Sequence, residues 1–319
     1  MTRHAPNDRW TRPFVLGAGP VGRAVARVLI DRGHTPMLVT RSGASLDGAS
    51  TVVADLSDRH AAATALADAT VVFSTVQPAY HRWAQEFPAL QASVVDACRS
   101  ADAPLMVVEN LYGYGPHRGA LTESSPMRPT TKKGSVRAQM WADLQAAAAD
   151  GLDMAVVRAS DFFGPGVEAS AFGDRFFPPL AVGKSANTIG DPDALHSVTF
   201  IPDLAEALVR VAEDDSSWGR AWHAPSAPPV TQRQLAEIAA AAIGVEPKVK
   251  ITPLWLLRLV GIVNKAAGEV VEMSYEFDSD FVVDSSAFTD YFGMQATPLD
   301  QAIADVMAAE SESASQMLS

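Results

Sequence analysis

The strongest constraint in this sequence is a glycine-rich bend near its start. The apolar run Phe14-Val15-Leu16 leads into Gly17-Ala18-Gly19-Pro20-Val21-Gly22, after which Val21, Val25, Val28 and Leu29 recur at helical spacing. This reads as strand, tight turn, helix. Gly33 closes the helix and Pro36-Met37-Leu38-Val39-Thr40 resumes as a strand, completing one βαβ unit. A bend with glycines at this spacing lets backbone amides approach a pyrophosphate, and the helix N-terminus adds a favourable field. Gly17, Gly19, Pro20, Val21 and Gly22 are therefore expected to hold a dinucleotide.

The alternation continues. Thr51-Val52-Val53-Ala54, Val71-Val72-Phe73-Ser74-Thr75, Pro104-Leu105-Met106-Val107-Val108 and Met154-Ala155-Val156-Val157-Arg158 are further strand-like runs, with helices predicted from about Asp58 to Ala67 and from Lys132 to Ala149. Apolar strands spaced by helices predict an α/β fold: a doubly wound parallel sheet (Rossmann fold) with a smaller C-terminal substrate lobe. After Ser160 the rhythm breaks at Gly164-Pro165-Gly166 and Phe176-Phe177-Pro178-Pro179. The expected division is a dinucleotide-binding domain over 13–160, to which 197–222 returns, and a substrate lobe of 161–196 and 223–307. Helices are predicted over 203–213, from a Thr231 cap to about Ile243, and within 253–273. Residues 1–12 and the acidic, Ser-rich 308–319 are expected as flexible tails.

Composition excludes several classes. A formal net charge of -12 over 319 residues, without a long Lys/Arg run, argues against nucleic-acid binding. Cys98 is the only cysteine, so no internal disulfide forms, and no His/Asp/Glu cluster has metal-ligand spacing; no metal is expected. The opening residues lack the apolar core of a secretory signal, which predicts a cytoplasmic protein. The apolar stretch Leu254 to Met273 is interrupted by Arg258, Asn264, Lys265 and Glu269, so it reads as a helix of the fold and no membrane partner is expected.

The end of the second strand selects between nicotinamide cofactors. An acidic residue there would accept the ribose hydroxyls of NAD; this chain has Thr40-Arg41-Ser42, whose guanidinium and hydroxyls suit a 2′-phosphate. NADP(H) is the expected cofactor, with Arg41 and Ser42 at its phosphate; a solvated Arg41 is the plainer alternative. Asp55-Leu56 follows the third strand, where a carboxylate accepts from an adenine amino group or else caps the next helix. Thr75, Val76 and Gln77 end the fourth strand beside the expected crevice.

These motifs, with Asn110-Leu111-Tyr112-Gly113-Tyr114-Gly115-Pro116, Arg158-Ala159-Ser160-Asp161-Phe162-Phe163-Gly164-Pro165-Gly166 and Phe200-Ile201-Pro202-Asp203-Leu204-Ala205, resemble the extended short-chain dehydrogenase/reductase superfamily of NAD(P)-dependent epimerases, dehydratases and reductases. The resemblance implies that Ala159, Ser160 and Phe162 lie near the carboxamide end of the cofactor, as does Asp161. It implies a small-molecule substrate, and family members often form homodimers, though no apolar stripe compels one here. Members typically use a Ser or Thr, and a Tyr and Lys four residues apart. Here Lys133 and Arg137 stand where the Tyr and Lys are expected, and Asn110 where the serine is.

Three residues remain as catalytic candidates. Asn110 closes a central strand and can orient a carbonyl or a water, Tyr114 is the preferred surrogate acid, and Lys133 can bind ribose or phosphate or donate a proton. Each has a structural alternative in loop stabilisation, packing or solvation. His117 and His196 are weaker candidates, and Phe163, Phe172, Phe176, Phe177 and Trp255 line a pocket or simply build a core. Three functions fit: an NADP(H)-dependent reductase or epimerase/dehydratase-like enzyme on a small carbonyl or hydroxyl compound, a non-catalytic NADP-responsive regulator, or a redox-neutral enzyme on the same fold.

Overall fold

The computed structural model describes residues 10–253, 255 and 271–318. Residues 1–9 of the expected N-terminal tail, and most of the helix expected within 253–273, lie outside them. The chain divides into two compact units, one of Met1–Gly113, Lys132–Arg158 and Leu204–Trp222, the other of Tyr114–Thr131, Ala159–Asp203 and His223–Ser319.

The first unit begins with β1 (Pro13–Leu16), α1 (Pro20–Asp31), β2 (Met37–Thr40), β3 (Ser50–Val53), α2 (Arg59–Ala65) and β4 (Val71–Ser74). It continues with α3 (Trp83–Ala101), β5 (Leu105–Glu109), α4 (Lys132–Ala149) and β6 (Met154–Arg158). The sheet order is β3-β2-β1-β4-β5-β6, followed by the strand Ala221–His223. Pairing is parallel from β3 through to β6. The order reverses direction between β1 and β4, which opens a crevice at their carboxyl ends. Phe14, Leu16, Val72, Leu105, Val107, Met154 and Val156 build one core with the inner faces of the helices. Cys98 is fully buried there and burial pushes its thiol pKa up, so it is an inert packing group.

The helix α3 was not singled out from sequence because Pro88 stands in its interior and interrupts the pattern. In α4 the buried residues are Lys133, Gly134, Arg137, Met140, Leu144 and Ala147. Two cations therefore head a stripe that otherwise packs as core. At the ends of β5 and β6, Glu109 and Arg158 are register partners, and Arg158 Nε donates to Glu109 Oε2 at 3.0 Å with both side chains 2% exposed.

In the second unit, Phe163, Phe172, Phe176 and Phe177 are buried with Leu235, Ala236, Ile303 and Met307. These phenylalanines are core, not pocket lining, and Trp255 is 63% exposed. The Thr231 cap is a full capping box with Gln234 on the helix Gln232–Ala242. The last helix runs Leu299–Leu318, past Ala308, where a fraying tail was expected. Its Ala, Glu, Met and Gln residues favour helix, and no Gly or Pro stops it. Among the described residues no helix is long and apolar enough to cross a membrane.

Removing the charge of Glu109 leaves Arg158 buried without its carboxylate. Glu109→Gln is expected to lower unfolding free energy by about 3–5 kcal/mol. Urea denaturation measures this, and an unchanged midpoint would contradict the role given to the pair.

Candidate functional site

The glycine bend is built by close contacts that leave no room for a side chain at Gly22 and little at Gly17. Gly17 has φ +97, and its amide donates to Val39 O at 2.9 Å. A Cβ on Gly22 would fall 2.0 Å from Gly17 O and 2.7 Å from Thr75 Oγ1. Nothing lies within 4 Å of the Cβ position at Gly19, the N-cap of α1, which has no side-chain cap bond. Pro20 opens the helix, no acid stands in its first turn, and Arg23 braces the bend by donating to Ala18 O and Ser45 O. Uncapped amides, open space and an electropositive helix end together fit a diphosphate.

Thr75 is tied back, its hydroxyl donating to Leu16 O at 2.7 Å, so its first task is to hold the end of β4 against the bend. Val76 packs on the core and Gln77 is exposed. Arg41 and Ser42 are exposed at the end of β2. The Asp55 carboxylate accepts from Ser57 Oγ at 2.7 Å and Ser57 N at 3.0 Å. Those bonds, and secondarily the charge of Arg41, hold its pKa below the usual carboxylate value. It does not cap α2; Asp58 does, accepting from Ala61 N. The Leu56 side chain is 5% exposed within the core, which leaves its backbone as the part that can meet a ligand.

Beyond β5, Asn110 Oδ1 accepts from Tyr112 N at 3.4 Å, a local turn bond. Lys133 and Arg137 are not solvated. Lys133 Nζ lies 4.4 Å from the centroid of the Tyr80 ring, and the Arg137 guanidinium lies 4.7 Å from Trp83 and 4.3 Å from Phe87. Burial lowers the pKa of Arg137, with Glu109 the main opposing influence. Tyr80 and Tyr112 place their hydroxyls 3.1 Å apart. This aromatic floor was missed in the sequence, although Tyr80, Trp83 and Phe87 recur at spacings of three and four.

Within the second unit, Tyr114 is 2% exposed and its hydroxyl lies 2.9 Å from His223 Nε2. His223 Nδ1 lies 2.9 Å from Asp284 O and must donate to that carbonyl, so in the neutral ring Nε2 accepts from Tyr114. The Tyr114 hydroxyl is thus engaged in a buried hydrogen bond with His223. Ala159 and Ser160 are buried, Ser160 N donating to Thr199 Oγ1 at 3.1 Å, and Phe162 pairs in a short parallel ladder with Thr199. His196 has its Nε2 3.0 Å from Asp161 Oδ2 and stacks between Phe277 and Phe281. His117 packs edge-on against Phe281. Among the described residues no group of three or more His, Cys, Asp or Glu could hold a metal ion.

A sequence profile described as the NAD dependent epimerase/dehydratase family matches residues 14–222. The chain belongs to that family. It is thus an NAD(P)-dependent enzyme of the extended short-chain dehydrogenase/reductase type, as its motifs pointed to. No curated protein sequence matches it significantly. Similar solved structures include MoeE5 in complex with UDP-glucose and NAD (19% identity, 97% of this chain and 100% of that one, TM-score 0.77). Others are UDP-N-acetylglucosamine 4-epimerase from Bacillus cereus (14%, 93% and 95%, 0.75) and a DesIV double mutant, a dTDP-glucose 4,6-dehydratase from Streptomyces venezuelae, with NAD and DAU bound (17%, 96% and 98%, 0.74). At these identities the likeness is one of fold.

Tyr114→Phe is expected to cost about 1–3 kcal/mol of stability by stranding His223 Nε2, a loss read by thermal or urea unfolding. A second test concerns Glu276, whose carboxyl burial, and then the charge of Asp161, push well above the ordinary 4.5. The folded chain holds this proton more tightly than the unfolded one, so stability falls as pH rises from 4.5 through the raised value. Glu276→Gln is expected to remove that fall, exceeding the parent in stability at about pH 8 and losing the advantage near about pH 4. Parallel denaturant curves at the two pH values check it.

Proposed function

We propose that this chain binds NADP(H) and acts as a reductase, or an epimerase/dehydratase-like enzyme, on a small carbonyl or hydroxyl compound. The observation that carries this is the α1 N-terminus at Gly19, with no side-chain cap bond and nothing within 4 Å of its Cβ position, and with Arg41 and no acid at the end of the neighbouring β2. Gly17, Gly19, Val21 and Gly22 hold the diphosphate through backbone amides, with Pro20, which has no N–H to donate, fixing the start of the helix beside it; Arg41 and Ser42 take the 2′-phosphate, and Asp55 faces the adenine. Thr75, Val76 and Gln77 line the remaining length of the cofactor, and Lys133 and Asn110 serve its reacting end. The bound dinucleotide supplies or accepts a hydrogen with its electron pair. Nucleotide sugars, named for the solved relatives, form the first substrate panel.

A second reading is a non-catalytic NADP-responsive regulator, favoured by the burial of Lys133 and Arg137 where a tyrosine and lysine are usual. Calorimetry and turnover separate the two. NADP⁺ is expected to bind more tightly than NAD⁺, and Arg41→Ala to cost NADP⁺ roughly tenfold, the worth of one charge-assisted contact, while leaving NAD⁺ unchanged. Gly22→Ala is expected to abolish binding of both, because its methyl collides with Gly17 O. No heat with either dinucleotide would overturn both readings. Binding without turnover across the panel would favour the regulator.

A further inference from the structure

We infer that the hydroxyl pair of Tyr80 and Tyr112, backed by the Lys133 ammonium, is the proton-donating group of this site, in place of the phenol that α4 lacks. The inference rests on the reading above, that the same unit holds a reduced dinucleotide. The two oxygens are 3.1 Å apart, so one hydroxyl donates to the other. The Lys133 charge sits 4.4 Å from the Tyr80 ring centroid. The Tyr80 hydroxyl is the donor, so this bond favours phenolate at Tyr112, and the Lys133 cation over the Tyr80 ring favours negative charge on the pair. Arg137, stacked on Trp83 and Phe87, interacts electrostatically with both phenols in the same sense.

The pair is held in place and stands where ligands of such sheets bind. Tyr112 follows the carboxyl end of β5, and its amide is fixed by Asn110 Oδ1. Tyr80 packs edge-on against Trp83 at 5.0 Å, and Trp83 Nε1 donates to Pro78 O at 3.3 Å. Both phenol rings are partly exposed, whereas Tyr114 is buried on His223.

In carbonyl reduction, with hydrogen and its electron pair supplied by the reduced dinucleotide, the carbonyl π pair moves onto oxygen. The O–H bond of one phenol then breaks and its proton joins that oxygen. The phenolate keeps the bonding pair, accepts the hydrogen bond of its neighbour, and regains a proton from water. In the oxidative direction the phenolate takes the hydroxyl proton of the substrate.

Alkaline ultraviolet titration of the ligand-free full chain tests this, since only five tyrosines contribute. One phenolate is expected about one pH unit or more before the ordinary phenol value of about 10. It should vanish in Tyr80→Phe and in Tyr112→Phe, appear later in Lys133→Met, and stay unmoved in Tyr291→Phe. If all five phenols titrate together in the parent chain, or the early one survives in both hydroxyl-deleted variants, the inference is wrong. No cofactor enters this measurement, so its failure is distinct from failure of NADP⁺ binding, which calorimetry on the same variants reads separately.

Discussion

The closeness of one backbone to another at the first bend underlies the rest of the site. Gly22 approaches the carbonyl of Gly17 so tightly that no side chain fits between them, and Thr75 closes the same junction from β4. This contact lets α1 begin directly at the carboxyl end of β1 with its amides exposed. It also places the reversal of strand order beside those amides, so the crevice and the electropositive helix end coincide. Arg41 at the end of β2 matters for a ligand only because the bend has fixed where a diphosphate would lie.

A second constraint is the concentration of positive charge at the head of α4. Lys133 and Arg137 occupy the buried stripe that continues through Met140 and Leu144, and the Glu109 carboxylate, paired with Arg158, also acts electrostatically on Arg137. Aromatic faces from Tyr80, Trp83 and Phe87 make such burial tolerable, since a ring quadrupole replaces part of the lost hydration. The arrangement biases the neighbourhood toward groups that become negative during reaction. Family members achieve a similar bias with one tyrosine and one lysine; here the cations and the phenols come from different elements.

Much of the architecture was legible in the sequence because its signals are local. The glycine spacing, the apolar strands and the Thr231 cap each depend on a few neighbouring residues, and α1, β4, α4 and β6 appear where those patterns put them. What was not legible depended on partners distant in the chain. Nothing near Tyr114 announces that His223 takes its hydroxyl, and nothing near Lys133 announces Tyr80. Leu56 follows an acid at a strand end, yet its side chain turns into the core. In α4, the repeat Lys133, Arg137, Met140, Leu144 did carry the message that both cations are buried, but charged residues at helix starts are so often solvated that the spacing was easy to pass over.

Each compact unit is assembled from three separate stretches of chain, and the stretches alternate along the sequence. Neither unit can therefore be obtained by cutting the chain once, because any single cleavage leaves both halves with an incomplete sheet or an incomplete lobe. Synthesis from the N-terminus cannot finish the first unit until Trp222 has emerged. Folding of the nucleotide-binding half is thereby made to wait for sequence that lies well beyond its own glycine bend.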